Sequence, residues 1–167
     1  MTGSANQTDY VNRKRRDRLI RELDHDPYHS RKKIKGPAVC PDCGAVYSDG
    51  RWTWKPAAAD AREHVCPACQ RIADRVPAAF LTIRGEFLHD HDEEVMHLIG
   101  NYEAREQKEH PMKRIIGREQ NDDELVLTFS DAHLARGIGE ALQRSYQGQL
   151  DYQYTKGDIM LRVTWTR

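Results

Sequence analysis

All four cysteines of this 167-residue chain stand in two tight pairs, Cys40-Pro41-Asp42-Cys43 and Cys66-Pro67-Ala68-Cys69. A Cys-x-x-Cys pair holds one edge of a metal tetrahedron, and a second pair on a separate knuckle completes all-thiolate coordination of one zinc ion. The spacing therefore predicts a four-cysteine zinc ribbon with Cys40, Cys43, Cys66 and Cys69 as its ligands. Gly44 lets the backbone turn tightly after the first pair, and Pro41 and Pro67 stiffen the knuckles. The spacer Gly44 to Val65 is slightly longer than usual for such ribbons, so the hairpin between the pairs carries an excursion, placed at Pro56-Ala57-Ala58-Ala59-Asp60. Two redox motifs or two disulfides are the alternatives, but a thioredoxin-type site needs only one pair at a helix start. Four thiolates fill the coordination shell. No position is left for a reacting water, so the zinc is structural and the chain is expected not to be an enzyme.

A ribbon of about 40 residues cannot bury enough core without its metal, while the rest of the chain is long enough for one ordinary domain. No apolar run approaches the roughly 18 residues of a membrane span, and the amino terminus has no signal-peptide hydrophobic stretch. With thiols reserved for metal, a cytoplasmic protein is expected.

The formal net charge is zero, yet it is unevenly spread. Residues 1–36 hold Arg13, Lys14, Arg15, Arg16, Arg18, Arg21, Arg31, Lys32, Lys33 and Lys35 against five acids. This is the composition of a basic arm, disordered when free, that neutralises phosphates along a nucleic acid. A solvated tail is the bland alternative. Val46-Tyr47, Ser48-Asp49-Gly50 and Arg51-Trp52-Thr53-Trp54-Lys55 read as a hairpin with Trp52 and Trp54 on one face and Arg51, Thr53 and Lys55 on the other. The tryptophans can stack bases beside those cations, or cover a small zinc core.

The zinc unit is placed at 37–76, and at 77–167 the pattern changes to an α/β sandwich. Ala79 to Phe87 alternates as a half-buried strand, and Asp90 and Glu93 have capping-box spacing before a helix running to about His110 and stopped by Pro111. Lys113 to Arg118 and Glu124 to Phe129 are strands. Ser130 is expected to cap a second helix with the stripe Leu134, Ile138, Ala141 and Leu142, and Leu150 to Tyr154 and Ile159 to Trp165 form a final hairpin. The order β-α-β-β-α-β-β predicts a two-layer α+β fold of ferredoxin-like character, its helices on one face. The parity opposite the apolar set carries Thr82, Arg84, Arg162 and Thr164, with Arg114 and Arg118 on the third strand. Such a face is a platform for RNA or an ordinary solvated sheet. Arg136 and Arg144 project from the second helix.

The run His89-Asp90-His91-Asp92-Glu93-Glu94 has metal-ligand residue types, but its acids already have a reason to stand in a helix's first turn. Gly137 and Gly139 lie within a helical pattern, which argues against a phosphate loop and suggests close packing of that helix on the sheet or on an RNA backbone.

The two cysteine pairs with Gly44, Leu81-Thr82-Ile83-Arg84-Gly85, Leu134 to Leu142, Tyr146-Gln147-Gly148-Gln149-Leu150 and Leu161-Arg162-Val163-Thr164-Trp165 together resemble the amino-terminal zinc region of the Nmd-three family, large-ribosomal-subunit binding proteins and 60S export adaptors, over about residues 36–167. The resemblance implies docking on the large subunit through the ribbon and the α/β domain. The chain differs from that family in its fewer cysteines and its own basic arm, and with no following domain or export-signal extension expected it resembles a minimal bacterial-type relative.

The expected function is a zinc-stabilised, rRNA-binding factor on the large ribosomal subunit. It would keep the subunit idle in hibernation or stress, or act in assembly or quality control. No membrane and no small-molecule substrate is expected. RNA contact is assigned to Arg13, Lys14, Arg15, Arg16, Arg18, Arg31, Lys32, Lys33, Lys35, Arg51, Trp52, Trp54, Lys55, Arg84, Arg136, Arg144 and Arg162. The rival readings are a protein adaptor or transcription-accessory ribbon, and a metal-dependent hydrolase using His89, His91 and Glu93 or Glu94.

Overall fold

The computed structural model describes Tyr28, residues 34–154 and residues 160–167, a mixed α+β structure with two sheets. Asp49 and Gly50 both hold positive φ, 52° and 83°, as a two-residue hairpin turn with the twist of its strands requires. They join β2 (Val46–Ser48) to β3 (Arg51–Thr53). β1 (Ala38–Val39) pairs antiparallel with β2 and parallel with β4 (Arg62–Glu63), giving the order β3-β2-β1-β4. The expected excursion occupies the stretch between β3 and β4, where Ala61 N donates to Ala58 O. α1 (Pro67–Asp74) then starts directly on the second cysteine pair.

The larger sheet is built from β5 (Ala79–Arg84), β6 (Ile115–Gln120), β7 (Glu124–Phe129), β8 (Gln149–Tyr154) and β9 (Leu161–Thr166) in the order β6-β7-β5-β9-β8. β5 runs antiparallel to β7 and parallel to β9, while β6 and β8 are antiparallel to their neighbours at the two edges. Its helices are α2 (Glu86–Asp90), α3 (Asp92–Glu109) and α4 (Ala132–Tyr146). Alternate strand residues point into one core: Leu81 and Ile83, Leu125 and Leu127, Val163 and Trp165, against Val95 and Ile99 of α3 and Leu134, Ile138 and Leu142 of α4. A Cβ on Gly139 would lie 2.9 Å from Val163 Cγ1 and 3.0 Å from Leu150 Cδ1, so the glycine lets α4 approach the sheet. Gly137 does the same for α3, with Tyr102 against it.

Several local expectations give way to tertiary contacts. β5 ends at Arg84, and Phe87 lies in α2, its ring 4.2 Å from that of His91 and edge-on to Trp165. Asp90 closes α2 and forms no capping box; α3 is preceded by His91, which makes no side-chain cap bond and pairs instead with Glu94 at 3.1 Å. Asp131, not Ser130, caps α4, accepting from Leu134 N at 2.9 Å. Ser130 Oγ is taken by the loop before β6, donating to Met112 O and accepting from Arg114 N. That strand starts at Ile115, two residues later than its sequence suggests, because residues 110–114 turn toward the cysteines.

Candidate metal centre

The four sulfurs lie within 4.8 Å of one another, and Cys43 Sγ and Cys66 Sγ are 3.8 Å apart. A tetrahedral site with metal–sulfur bonds of about 2.3 Å has sulfur–sulfur edges of about 3.8 Å, so this pocket can hold one metal ion. Local backbone geometry places each thiol. Cys40 and Cys43 flank a turn closed by Gly44 N to Cys40 O at 2.9 Å, with Gly44 at φ 79°. Cys66 is the N-cap of α1, and its sulfur accepts from Cys69 N at 3.4 Å. Cys66 N donates to Cys40 Sγ at 3.3 Å and Ala45 N to Cys43 Sγ at 3.5 Å, so the knuckles also hold each other. Backbone N–H groups aimed at sulfur favour thiolates, as does a helix N-terminus.

The thiols are not equivalent. Burial opposes ionisation of Cys40, but N–H groups of Cys66, Cys43 and Asp42 outweigh it and bring its pKa down to about 7. Burial pushes Cys66 up, and the neighbouring thiols add to the rise. Cys69 also rises, its burial outweighing the hydrogen bonds it receives. A metal ion must therefore displace protons from buried sulfurs, which makes its binding strongest at higher pH.

One residue of the centre comes from the other sheet's unit and was missed by sequence reasoning. Arg114, read there as a sheet-face cation, sends Nη1 to Cys69 Sγ at 3.3 Å and Nε to Pro111 O at 2.9 Å. Met112 packs on the same cysteine cluster, and Trp54 Nε1 donates to Gln107 O near the end of α3. No short-range motif announces Arg114, because its partner lies 45 positions away.

The residues expected to meet RNA are dispersed. Arg13, Lys14, Arg15, Arg16, Arg18, Arg31, Lys32 and Lys33 lie outside the described residues; of residues 1–36, Tyr28, Ile34, Lys35 and Gly36 are described, and the Tyr28 hydroxyl donates to Asp74 Oδ2 of α1. Lys35, Arg51 and Lys55 are exposed around the small sheet. Trp52 and Trp54 part company: Trp52 packs on the cysteine cluster between Tyr47 and His64, while Trp54 stays 41% exposed. Arg84 and Arg162 do share the sheet face that carries no helix among the described residues, four positions apart along the register. Arg84 is bound to Glu124 at 2.7 Å, and Arg162 lies over the Phe80 ring, an aromatic on this face that the sequence reading passed over. Alternation alone could have found Phe80, since it shares the parity of Thr82. Arg136 and Arg144 belong to α4 on the opposite layer, Arg136 against Glu140 and Tyr152 and Arg144 in solvent. Arg118 is at the edge strand and contacts Gln120, paired in register with core residue Leu127 and so away from the helix-free face.

His89 pairs with the adjacent Asp90 at 3.3 Å, and both are exposed. Among the described residues, the cysteines are the one group that gathers three or more potential metal-ligating side chains. No helix among them is long and apolar enough to cross a membrane. Comparison with protein-family models, curated proteins and solved structures gives no match.

Proposed function

We propose that this chain is a zinc-stabilised RNA-binding factor of the large ribosomal subunit, acting in the cytoplasm without catalysing a reaction. The observation that carries the reading is the closed thiolate set: four sulfurs within 4.8 Å of one another, one pair of them at 3.8 Å, suit one zinc ion and would leave it no position for substrate or water. Cys40, Cys43, Cys66 and Cys69 would hold the ion, whose role is to fold the small unit. We read that unit as a zinc ribbon and the larger one as ferredoxin-like, with the terminal strand β9 inserted beside β5. RNA contact is supported by the cation-rich residues 1–36, by Trp54, Arg51 and Lys55 on the small unit, and by Arg162 stacked on Phe80. The Nmd-three resemblance adds the large subunit as the partner, and a steric block of its functional face as the mechanism in hibernation, assembly or quality control.

A second reading is favoured by the charge of the helix-free sheet face. Arg84 is already neutralised by Glu124, and Asp151 and Glu119 occupy the same register row as Thr164, Thr82 and Val126. A face of that composition suits a polypeptide as well as an RNA, which is the adaptor reading. Affinity capture of the tagged protein with and without nuclease separates the two. Large-subunit proteins should be lost from the captured material after nuclease; their retention would favour the adaptor.

A further inference from the structure

Arg114 belongs to the larger unit by chain position, yet it ends on the cysteine cluster. Its Nη1 donates to Cys69 Sγ at 3.3 Å, and its Nη2 is buried with no hydrogen-bond partner among the described residues. Burying a guanidinium beside neutral thiols is costly. A divalent ion on four thiolates carries two net negative charges, and the same position then becomes favourable for a cation, with N–H to sulfur bonds strengthened by charge on both sides. The neighbourhood is rigid enough to use that energy. Ser130 Oγ holds Met112 O at 2.7 Å and accepts from Arg114 N at 2.8 Å, Glu103 Oε1 accepts from Ile115 N at 2.7 Å, and Lys113 is bound to Glu106 at 2.7 Å. Residues 112–115 are thus tied to α3 and to the start of α4 on one side and reach the cysteines on the other.

We propose that Arg114 is a positioning residue of the metal centre, compensating the charge of the tetrathiolate–metal complex, so that metal loading locks the small unit onto the 110–115 loop of the larger one. The proposal rests on the metal reading above, and it predicts that the docking of the two units, as well as the fold of the small one, depends on the ion. Outer partners of metal ligands commonly contribute 10-fold to 100-fold in metal affinity.

The test uses the full chain. Zinc content of the wild-type protein is measured first; zinc near zero ends the metal reading itself, and this proposal with it. With zinc present, Arg114→Met and the control Arg118→Met, at an exposed cation of β6 outside the 110–115 loop, are titrated against a chelator. Arg114→Met should lose zinc at about 10-fold to 100-fold lower chelator concentration, with Arg118→Met close to wild type. Amide exchange is then followed in the zinc-loaded proteins, where the backbone N–H groups at positions 113–115 should exchange faster in Arg114→Met than in wild type while those of Cys66 and Cys69 stay protected. Equal zinc retention by both variants, or unchanged exchange at 113–115 in the loaded variant, overturns the proposal. Should Arg114→Met fail to fold, wild-type protein titrated with zinc decides it. Protection at 113–115 must rise in step with zinc occupancy, and protection already complete without zinc overturns it.

Discussion

Gly100 and Gly139 sit inside α3 and α4, and an added methyl group meets opposite fates at the two positions. Nothing lies within 4 Å of a Cβ at Gly100, so Gly100→Ala should raise stability by about 0.5–1 kcal/mol through helix propensity alone. At Gly139 the methyl group meets Val163 and Leu150, and the overpacking should cost about 1–3 kcal/mol despite the same propensity gain. Denaturant midpoints of the two variants check the pair; stabilisation by Gly139→Ala would mean that α4 does not sit so close to the sheet. Asp131→Ala should cost about 1 kcal/mol by removing the cap of α4. Asp131 is opposed by its own burial, but His133 and the Leu134 N–H outweigh this and lower its pKa, while the carboxylate raises that of His133. With Asp131 lowered, its contribution is present above the ordinary carboxylate range and lost as acid protonates it. With His133 raised, its contribution is complete below about pH 6.5 and fades as pH climbs through the folded value above that. Stability of wild type relative to His133→Gln should therefore narrow between neutral and alkaline pH, and a constant difference would refute the linkage. The sequence suggested close packing at Gly139 because a glycine inside an apolar stripe has few other reasons to be there. Arg114 and Ser130 were illegible at this scale, since their partners are distant in the chain and both carry ordinary strand and cap signals of their own.

Among the elements, the cysteine pairs and the Asp49-Gly50 turn were readable because each is a local constraint: two ligands at fixed spacing, two residues at positive φ. α3 and α4 were readable from long periodic stripes. β1 and β4 are two residues each, too short to show a period, and α2 lies in a stretch whose alternation continued that of β5. The local signal for α1 is Pro67 at its first position behind the capping Cys66. The small unit's core is built around its own ligands: Cys40, Cys66 and Cys69 are buried together with Ala45 and Ala68, and only the small side chains of Ala38 and Val46 add further buried apolar groups among the described residues. Cys40→Ser or Cys66→Ser should therefore release the metal and unfold residues 38–70 while the larger core persists. Zinc content together with amide exchange measures this. A Cys66→Ser protein that keeps native protection in β1 to β4 would show that the unit folds without metal.

For the molecule as a whole, affinity and fold are predicted to separate. If residues 1–36 neutralise phosphates, binding to large subunits should weaken steeply with salt, log affinity falling by about 0.7–0.9 per log unit of salt for each phosphate contacted. Removing those residues should flatten the slope and leave both sheets intact; an unchanged slope would make them a passive tail. Composition revealed the charge asymmetry, but it could not show that the body's arginines fall on different layers, because that depends on which face α4 covers. The most direct test of the ribosomal reading is sedimentation of the tagged full-length protein through sucrose gradients of extracts from growing and starved cells. The protein should migrate with the large subunit, and this migration should be lost after nuclease and reduced by Cys66→Ser. Protein that remains at the top of every gradient, whatever the growth state, would contradict it.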